Sequence, residues 1–142
     1  MNFMDIIKEV GKLGFPKDRY VVVGSGHLIA LGLKEGKDVD ILVDQKLFDK
    51  CIKEGWEVLP WTYPGTEGQI YLRKGVIELY LNVSCGDAPN SDELIRRAVF
   101  VKGIPFAHLE DILKLKKEYS KTKPKHLKDI ELIENYLSNQ KD

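Results

Sequence analysis

Two stretches direct how this chain folds: Tyr20-Val21-Val22-Val23-Gly24-Ser25 and, twelve residues later, Asp38-Val39-Asp40-Ile41-Leu42-Val43. The apolar, β-branched run before Gly24 is typical of a buried strand, and the second stretch begins another strand. Residues 27–31 contain no Gly or Pro and predict a short buried helix, which the glycines and charges of residues 32–37 end. The sequence therefore predicts a strand, a helix and a second strand in succession.

Asp38 and Asp40 are predicted to lie on one face of that second strand. Side chains alternate across a strand, so both acids point the same way while Val39, Ile41 and Val43 point into the core. Two neighbouring carboxylates repel each other, and a divalent cation is the strongest compensation for their charge. The pair predicts a metal site, with two exposed acids on an edge strand as the structural alternative.

Glu78 is the natural candidate for a third carboxylate. It lies between Ile77 and Leu79 in an otherwise apolar run, on the side opposite to the core. Residues 69–73 and 76–83 predict a hairpin joined at Lys74-Gly75. A hard cation needs several oxygen ligands on rigid elements. Asp44 is a poorer candidate because it falls at the end of its strand.

Gly24 and Ser25 are predicted to bind phosphate. A helix that starts near Ser25 or Gly26 presents free backbone N–H groups and the positive end of its dipole. The glycine lets a phosphate approach the backbone closely, and the serine hydroxyl can donate a further hydrogen bond. His27, at the start of this helix, is either another phosphate contact or a surface or core histidine.

The remaining segments predict an α/β (α+β) fold, a small mixed β-sheet with flanking helices, in a single domain over residues 1–142. Helices are expected over residues 3–13, 45–54, 108–119 and 126–138, and Ser91 is expected to cap one more. Extended segments are expected over residues 56–59, 99–101 and 104–106, with a loop or wide turn over 60–68. The last two helices form a pair that ends the chain.

The composition is that of one globular domain with a real core: 142 residues, 43% hydrophobic and 31% charged. A formal net charge of zero excludes a global field that draws the protein to nucleic acid or acidic lipid. Cys51 and Cys85 form no CxxC and predict reduced cysteines of an intracellular protein. Because no signal peptide and no apolar stretch of ~18 residues is present, we expect a cytoplasmic protein outside the membrane.

Positive charge is concentrated between Lys114 and Lys128. This segment holds seven lysines against a single acid, Glu118. A solvated helix face and loop explain such a segment as readily as a patch that steers phosphates or contacts an RNA backbone. Trp61, Tyr63 and Tyr71, near the predicted loop, could stack a base, although packing in the core or the hairpin is the more common role of such residues.

The spacing of Gly24-Ser25 and Asp38-Val39-Asp40 resembles the signature of the nucleotidyltransferase superfamily, whose fold is shared with polymerase β-type enzymes. The signature of that family begins with an apolar strand that ends in Gly-Gly or Gly-Ser. About ten residues later it continues with an acid-apolar-acid triplet. The resemblance continues weakly over most of the chain, as in the minimal single-domain branch. Lys114 and Lys128-Asp129 also resemble a loosely defined lysine and Lys-Asp pair in the last two helices of that family.

The resemblance implies metal-dependent transfer of a nucleoside monophosphate from a nucleoside triphosphate to a hydroxyl acceptor. Two Mg²⁺ or Mn²⁺ ions would be held by Asp38, Asp40 and Glu78, and the nucleotide by Gly24, Ser25 and Lys114. The acceptor would be an RNA end, a protein side chain or a small molecule, since minimal members resemble antibiotic-modifying transferases and components of toxin–antitoxin modules. The chain has no separate recognition domain, so a cognate protein partner or an oligomer is one way to complete the acceptor site.

Other functions are compatible with parts of the same pattern. A catalytically inactive nucleotidyltransferase fold that binds or regulates a protein partner is the main alternative. A dinucleotide-binding turn would use Gly24, Gly26 and Asp44, but Ile29 occupies its third glycine position. A P-loop and a serine-hydrolase elbow both lack their required residues around Ser25.

Overall fold

The computed structural model describes residues 2–62, 68–81, 90–121 and 123–140. The chain forms one mixed sheet of seven strands with six α-helices, which confirms the predicted α/β (α+β) class. The strands are β1 (Tyr20–Val23), β2 (Val39–Val43), β3 (Glu57–Pro60), β4 (Ile70–Lys74), β5 (Ile77–Tyr80), β6 (Val99–Val101) and β7 (Ile104–Phe106). The helices are α1 (Phe3–Gly11), α2 (Gly26–Ala30), α3 (Gln45–Lys53), α4 (Ser91–Arg96), α5 (Leu109–Ser120) and α6 (Leu127–Gln140), with a 3₁₀ turn at Pro124–His126.

The strand order is β3-β4-β5-β2-β1-β7-β6. β2 lies at the centre, antiparallel to β1 and parallel to β5, and β1 in turn is parallel to β7. Parallel neighbours need a long crossover, which residues 44–76 supply between β2 and β5. This order puts residues from three distant parts of the sequence side by side in the middle of the sheet.

Both faces of the sheet carry a hydrophobic core. One face, with Val22, Ile41 and Phe106, packs with residues of α1 and α3 such as Ile6 and Phe48. The other face, with residues such as Val21, Val23 and Leu42, packs against α4, α5 and α6. Because side chains alternate along β2, Asp40 lies on the same face as Leu42. Asp40 therefore does not face open solvent, because it shares its face with the second core, whereas Asp38 precedes β2 and is exposed.

Side-chain caps set the starts of several helices. Asn2 and Asp5 form a reciprocal capping box on α1, with hydrogen bonds of 2.9 and 3.0 Å. Asp44 caps α3 by accepting from the backbone N–H of Leu47 at 2.8 Å, which explains this acid without a metal. The prediction of Ser91 as a cap was wrong by one residue, because the side chain of Asn90 accepts from the Glu93 N–H at 2.9 Å.

Some predicted features lie outside the described residues, namely Tyr63, the end of the predicted 76–83 strand and Cys85. Cys51 is a buried free thiol within the first core. None of the described helices is both long and apolar enough to cross a lipid bilayer.

An ion pair with one buried partner joins the C-terminal end of α4 to the first turn of α5. The Asp111 side chain is fully buried, and Arg97 Nη2 lies 3.2 Å from its Oδ1. Neither Asp111 oxygen has a well-aligned hydrogen bond within the described residues, so the charge of Arg97 is the main compensation. This pair anchors α5, a helix that also lines the candidate functional site.

Removing Arg97 should destabilise the protein more than neutralising Asp111. Arg97→Ala leaves a buried carboxylate without its counter-charge, for a loss of about 2 kcal/mol in the free energy of unfolding. Asp111→Asn keeps the shape and removes that charge, so a smaller loss is expected. Urea denaturation of both variants measures the difference, and equal losses would contradict this account.

Candidate functional site

The Gly24-Ser25 turn lies directly against the carboxylate of Asp40. Val23 and Asp40 are partners in the antiparallel β1–β2 pair, so the turn emerges next to that acid. Gly24 has φ of +65°, and a Cβ built on it would lie 2.6 Å from Asp40 Oδ2. Glycine is therefore required at this position for two reasons: its backbone conformation and the space that the Asp40 carboxylate occupies.

Glu78 lies beside Asp40 in the sheet. The two residues are register partners in the parallel β2–β5 pair, which puts both carboxyl groups on the same face. Burial, the charge of Glu78 and the charge of Asp38 raise the pKa of Asp40 to about 7, although Lys116 acts in the opposite direction. The fold thus concentrates negative charge at one place in a partly buried setting.

The side chains of Asp38 and Glu78 do not converge with Asp40 on one point, although the sequence pattern predicts this for a metal site. Asp38 is exposed and precedes the first residue of β2. Glu78 Oε1 accepts a hydrogen bond of 3.1 Å from the Tyr80 hydroxyl and lies 4.0 Å from Arg73 Nη2. No three Asp, Glu, His or Cys side chains in the described part of the chain lie close enough together to hold a metal ion.

The donor set nevertheless fits a hard divalent cation in chemical type. Carboxylate oxygens are the ligands that Mg²⁺ and Mn²⁺ prefer. Asp40 and Glu78 are adjacent on a rigid sheet, and Asp38 is near enough for its charge to raise the pKa of Asp40. The Asp38 and Glu78 side chains would have to rotate to bring all three carboxylates around one ion.

Two lysines meet a buried aspartate beside the Gly24-Ser25 turn. Lys34 Nζ and Lys116 Nζ each lie 2.8 Å from an Asp129 oxygen. The Ser25 hydroxyl donates to Asp129 Oδ2 at 3.2 Å and accepts from Lys34 at 3.2 Å. Lys116 and Asp129 are only 4% and 3% exposed, so their pairing matters for the fold. We call these four residues the lysine–aspartate cluster.

The charges in this cluster shift one another's pKa values. Burial lowers the pKa of Lys116, while the hydrogen bond to Asp129 works against that shift. Burial alone would raise the pKa of Asp129, but Lys116 and Lys34 bring it below its usual value. The cluster is therefore best described as an ionised carboxylate held between two ammonium groups.

Lys116 occupies the position that sequence reasoning gave to Lys114. Lys114 is exposed on α5 and does not line the cavity beside Ser25, whereas Lys116 does. A signal for Lys116 was present, since it continues the apolar stripe of Leu109 and Ile112 at helical spacing. Asp129 interrupts the stripe of Ile133 in the same way. Lys34 sits in a loop, where no periodicity could point to it.

A cavity of about 370 Å³ joins these groups. Its wall includes the Gly24-Ser25 turn, Asp40 and the lysine–aspartate cluster. The remaining lining comes from Val23, Trp61, Tyr80, Ile112, Leu115, Tyr119, Lys123, Lys125 and His126. The volume lies within the range of small-molecule sites in proteins. The Gly24-Ser25 turn, the Asp40 carboxylate, ammonium groups and aromatic rings thus border one space.

His27 and Gly26 serve the core instead of this cavity. His27 is buried, and its Nδ1 donates to the Ala107 carbonyl oxygen at 2.9 Å. Burial lowers the pKa of His27, so it is a neutral core histidine, one of the two roles predicted for it. A Cβ on Gly26 would collide with Val22, so this glycine allows α2 to pack on β1. Packing thus explains the second glycine of the apparent dinucleotide motif.

Comparison with protein-family models, with curated proteins and with solved structures finds no match for this chain.

Proposed function

We propose that this protein is a metal-dependent nucleotidyltransferase. The observation that carries the proposal is the close approach of the Gly24-Ser25 turn to the Asp40 carboxylate. An ideal Cβ placed on Gly24 would lie only 2.6 Å from Asp40 Oδ2. A turn that admits phosphate and an acid pair suited to a cation have to adjoin if both are to act on one triphosphate. The β1–β2 register supports that arrangement without any rearrangement of the backbone.

The roles of the residues follow from their positions. The backbone of the Gly24-Ser25 turn would face a phosphate held beside Asp40, and the Ser25 hydroxyl, which donates to Asp129 in the ligand-free protein, would turn to donate to it. Lys116 and Lys34 supply positive charge next to the turn. Asp38, Asp40 and Glu78 would hold the divalent ions, which supply charge neutralisation for the phosphates and activation of the attacking hydroxyl.

The reaction is a displacement at the α-phosphorus of a nucleoside triphosphate. The acceptor oxygen forms the new P–O bond, the bond to the bridging oxygen of the β-phosphate breaks, and pyrophosphate leaves. The proton of the acceptor hydroxyl passes to water. Such a reaction fits the cytoplasm, where nucleoside triphosphates are formed and used. All the groups proposed to hold the nucleotide and the metal come from this chain, so the proposal assigns no residue of a cognate protein partner to that part of the site.

Thermal unfolding with each nucleoside triphosphate, with and without Mg²⁺ or Mn²⁺, tests the proposal. A ligand at 100 times its dissociation constant adds about 2.7 kcal/mol to the free energy of unfolding, which raises Tm by several degrees. We expect this rise to need nucleotide and metal together and to disappear in Asp40→Asn. Asp18→Asn, in an exposed loop before β1, is the matched control and should keep the full rise.

Two results would contradict the proposal. The first is an equal rise in Asp40→Asn and in the native protein. The second is the absence of any rise with all nucleotides and metals, which would favour the alternative of a noncatalytic module that acts through a protein partner.

A further inference from the structure

The lysine–aspartate cluster holds more positive charge than its single carboxylate balances. Lys34 Nζ lies 2.8 and 2.9 Å from the two Asp129 oxygens, and Lys116 Nζ lies 2.8 Å from Oδ2. The Ser25 hydroxyl donates to the same Oδ2 at 3.2 Å. A structural ion pair needs only one lysine for one aspartate. Two ammonium groups and a hydroxyl that converge on one carboxylate are instead a donor set suited to a larger anion.

The two lysines differ in how firmly the fold holds them. The Lys116 side chain, on α5, is 5% exposed, whereas that of Lys34, in the loop between α2 and β2, is 35% exposed. Lys34 can therefore turn away from Asp129 without leaving a charge buried and unpaired. The pair of Lys116 and Asp129 would stay in the interior.

The cluster opens onto the cavity of the candidate site. All four of its residues line the cavity of about 370 Å³, and Lys125 and His126 line it as well. Burial first, and then the charges of Lys116 and Lys125, lower the pKa of His126 to about 4. Positive potential thus extends from the cluster into a space that a ligand can enter.

We propose that Asp129 occupies an anion site in the ligand-free protein and that a phosphate group displaces it from Lys34 and Ser25. Lys34 Nζ and the Ser25 hydroxyl would then donate to phosphate oxygens, and Lys116 would keep Asp129 as its partner. Asp129 acts as an internal competitor for the ligand. The assignment of the phosphate to a nucleoside triphosphate rests on the proposed nucleotidyl transfer, but the displacement itself does not.

The internal competitor selects the kind of anion that binds. A monoanion such as acetate would only exchange one carboxylate for another, and it would lose its freedom of motion on binding. Tripolyphosphate brings several negative charges into the same cavity, so it can bind Lys34 and approach the other cations of the wall. We therefore expect affinity to decrease from tripolyphosphate to pyrophosphate to phosphate, and we expect acetate not to bind.

Isothermal titration calorimetry with inorganic tripolyphosphate, without metal or nucleotide, tests the proposal. Asp129→Asn keeps the shape of the side chain and removes the competing charge, so it should bind tripolyphosphate about tenfold more tightly than the native protein. Glu131→Gln, which neutralises an exposed acid of the same helix, is the matched control and should bind like the native protein. Because Asp129→Asn also lowers stability, the titration is run well below its Tm, with circular dichroism to show that it is folded.

Lys34→Met tests the same site in a variant that keeps the buried ion pair. Asp129 still has Lys116 as a partner at 2.8 Å, so the fold should be retained. Binding of tripolyphosphate should weaken at least about tenfold, because a charged hydrogen-bond donor is lost. Lys37→Met removes an exposed lysine from the same loop and should bind like the native protein. Asp40→Asn should not weaken binding, so a failure of the proposed catalysis would not hide the displacement.

ATP without metal identifies the source of the phosphate. Tighter binding of ATP by Asp129→Asn and weaker binding by Lys34→Met would assign the site to the triphosphate of a nucleotide. If only tripolyphosphate gives these two responses, the site binds free polyphosphate, and the displacement holds without a link to nucleotidyl transfer.

Three outcomes would overturn the proposal. The first is weaker binding of tripolyphosphate, or none, by folded Asp129→Asn, because a carboxylate that only positions the lysines gives that result. The second is equal affinity of Lys34→Met and Lys37→Met. The third is binding of acetate by the native protein as tightly as pyrophosphate, which would show a cation cluster without selection by Asp129.

Discussion

Asp40→Asn should abolish the proposed nucleotidyl transfer while making the ligand-free protein more stable. Asp40 lies beside Glu78 in register, and no salt-bridge partner of Asp40 is present in the described residues. Replacing it by a neutral isostere removes the repulsion, for a gain of about 1 kcal/mol in the free energy of unfolding. Transfer should fall by at least about 10²-fold, because a ligand of the proposed divalent ions, which would stabilise the developing negative charge, is lost.

The opposite signs of the two effects make this variant informative. Substituting a residue that packs in the core lowers the free energy of unfolding of the protein. Substituting a residue that is retained for function often raises it in the ligand-free protein. Release of labelled pyrophosphate measures transfer, and thermal unfolding without ligand measures stability. Asp18→Asn should change neither quantity. A marked fall in Tm for Asp40→Asn would show that the carboxylate is structural.

Asp129→Ala should be the most destabilising single change in the site. It leaves the ammonium group of Lys116 buried without its counter-charge, whereas Lys34 is 35% exposed and can turn to water. Loss of one partner of a buried ion pair costs about 3 kcal/mol in the free energy of unfolding. Chemical denaturation measures this loss.

Lys116→Met separates stability from binding in the same cluster. Asp129 keeps Lys34 as a partner at 2.8 Å, so stability should change by about 1 kcal/mol or less. Stabilisation by nucleoside triphosphate should nevertheless be lost, because the cation beside Ser25 is gone. Lys114→Met, on the exposed side of α5, is the matched control and should behave like the native protein. Equal loss of nucleotide binding in the two variants would contradict the assignment of Lys116.

The local parts of the fold could be predicted from the sequence because their signals are local. The apolar run of β1, the break at Gly24 and the alternation along β2 are read within a few residues. Glu78 was found as an acid in an apolar strand, and β5 indeed places it on the face of Asp40. The match of Asp40 with Glu78 itself could not be predicted, since strand register depends on packing across the whole sheet.

The two lysines of the lysine–aspartate cluster were missed for a different reason, whereas Ser25 and Asp129 are already named from the sequence. A shift of two positions on a helix rotates a side chain by about 200°, so choosing Lys114 in place of Lys116 moved the charge to the opposite side of α5. The family resemblance located the helix but not the residue, while the interrupted apolar stripe would have located both. Lys34 depends on contacts between distant segments, which no pattern within one segment reports.

The antiparallel pairing of β1 with β2 also bears on how the chain reaches this structure. Gly24 and Asp40 are only 16 positions apart, whereas Ser25 and Asp129 are separated by 104. Closing the longer loop costs about 1.6 kcal/mol more in chain entropy. Contacts with short sequence separation form sooner during folding. The turn and its first acid would thus assemble as one early unit, and the C-terminal helices would add the lysine–aspartate contacts last.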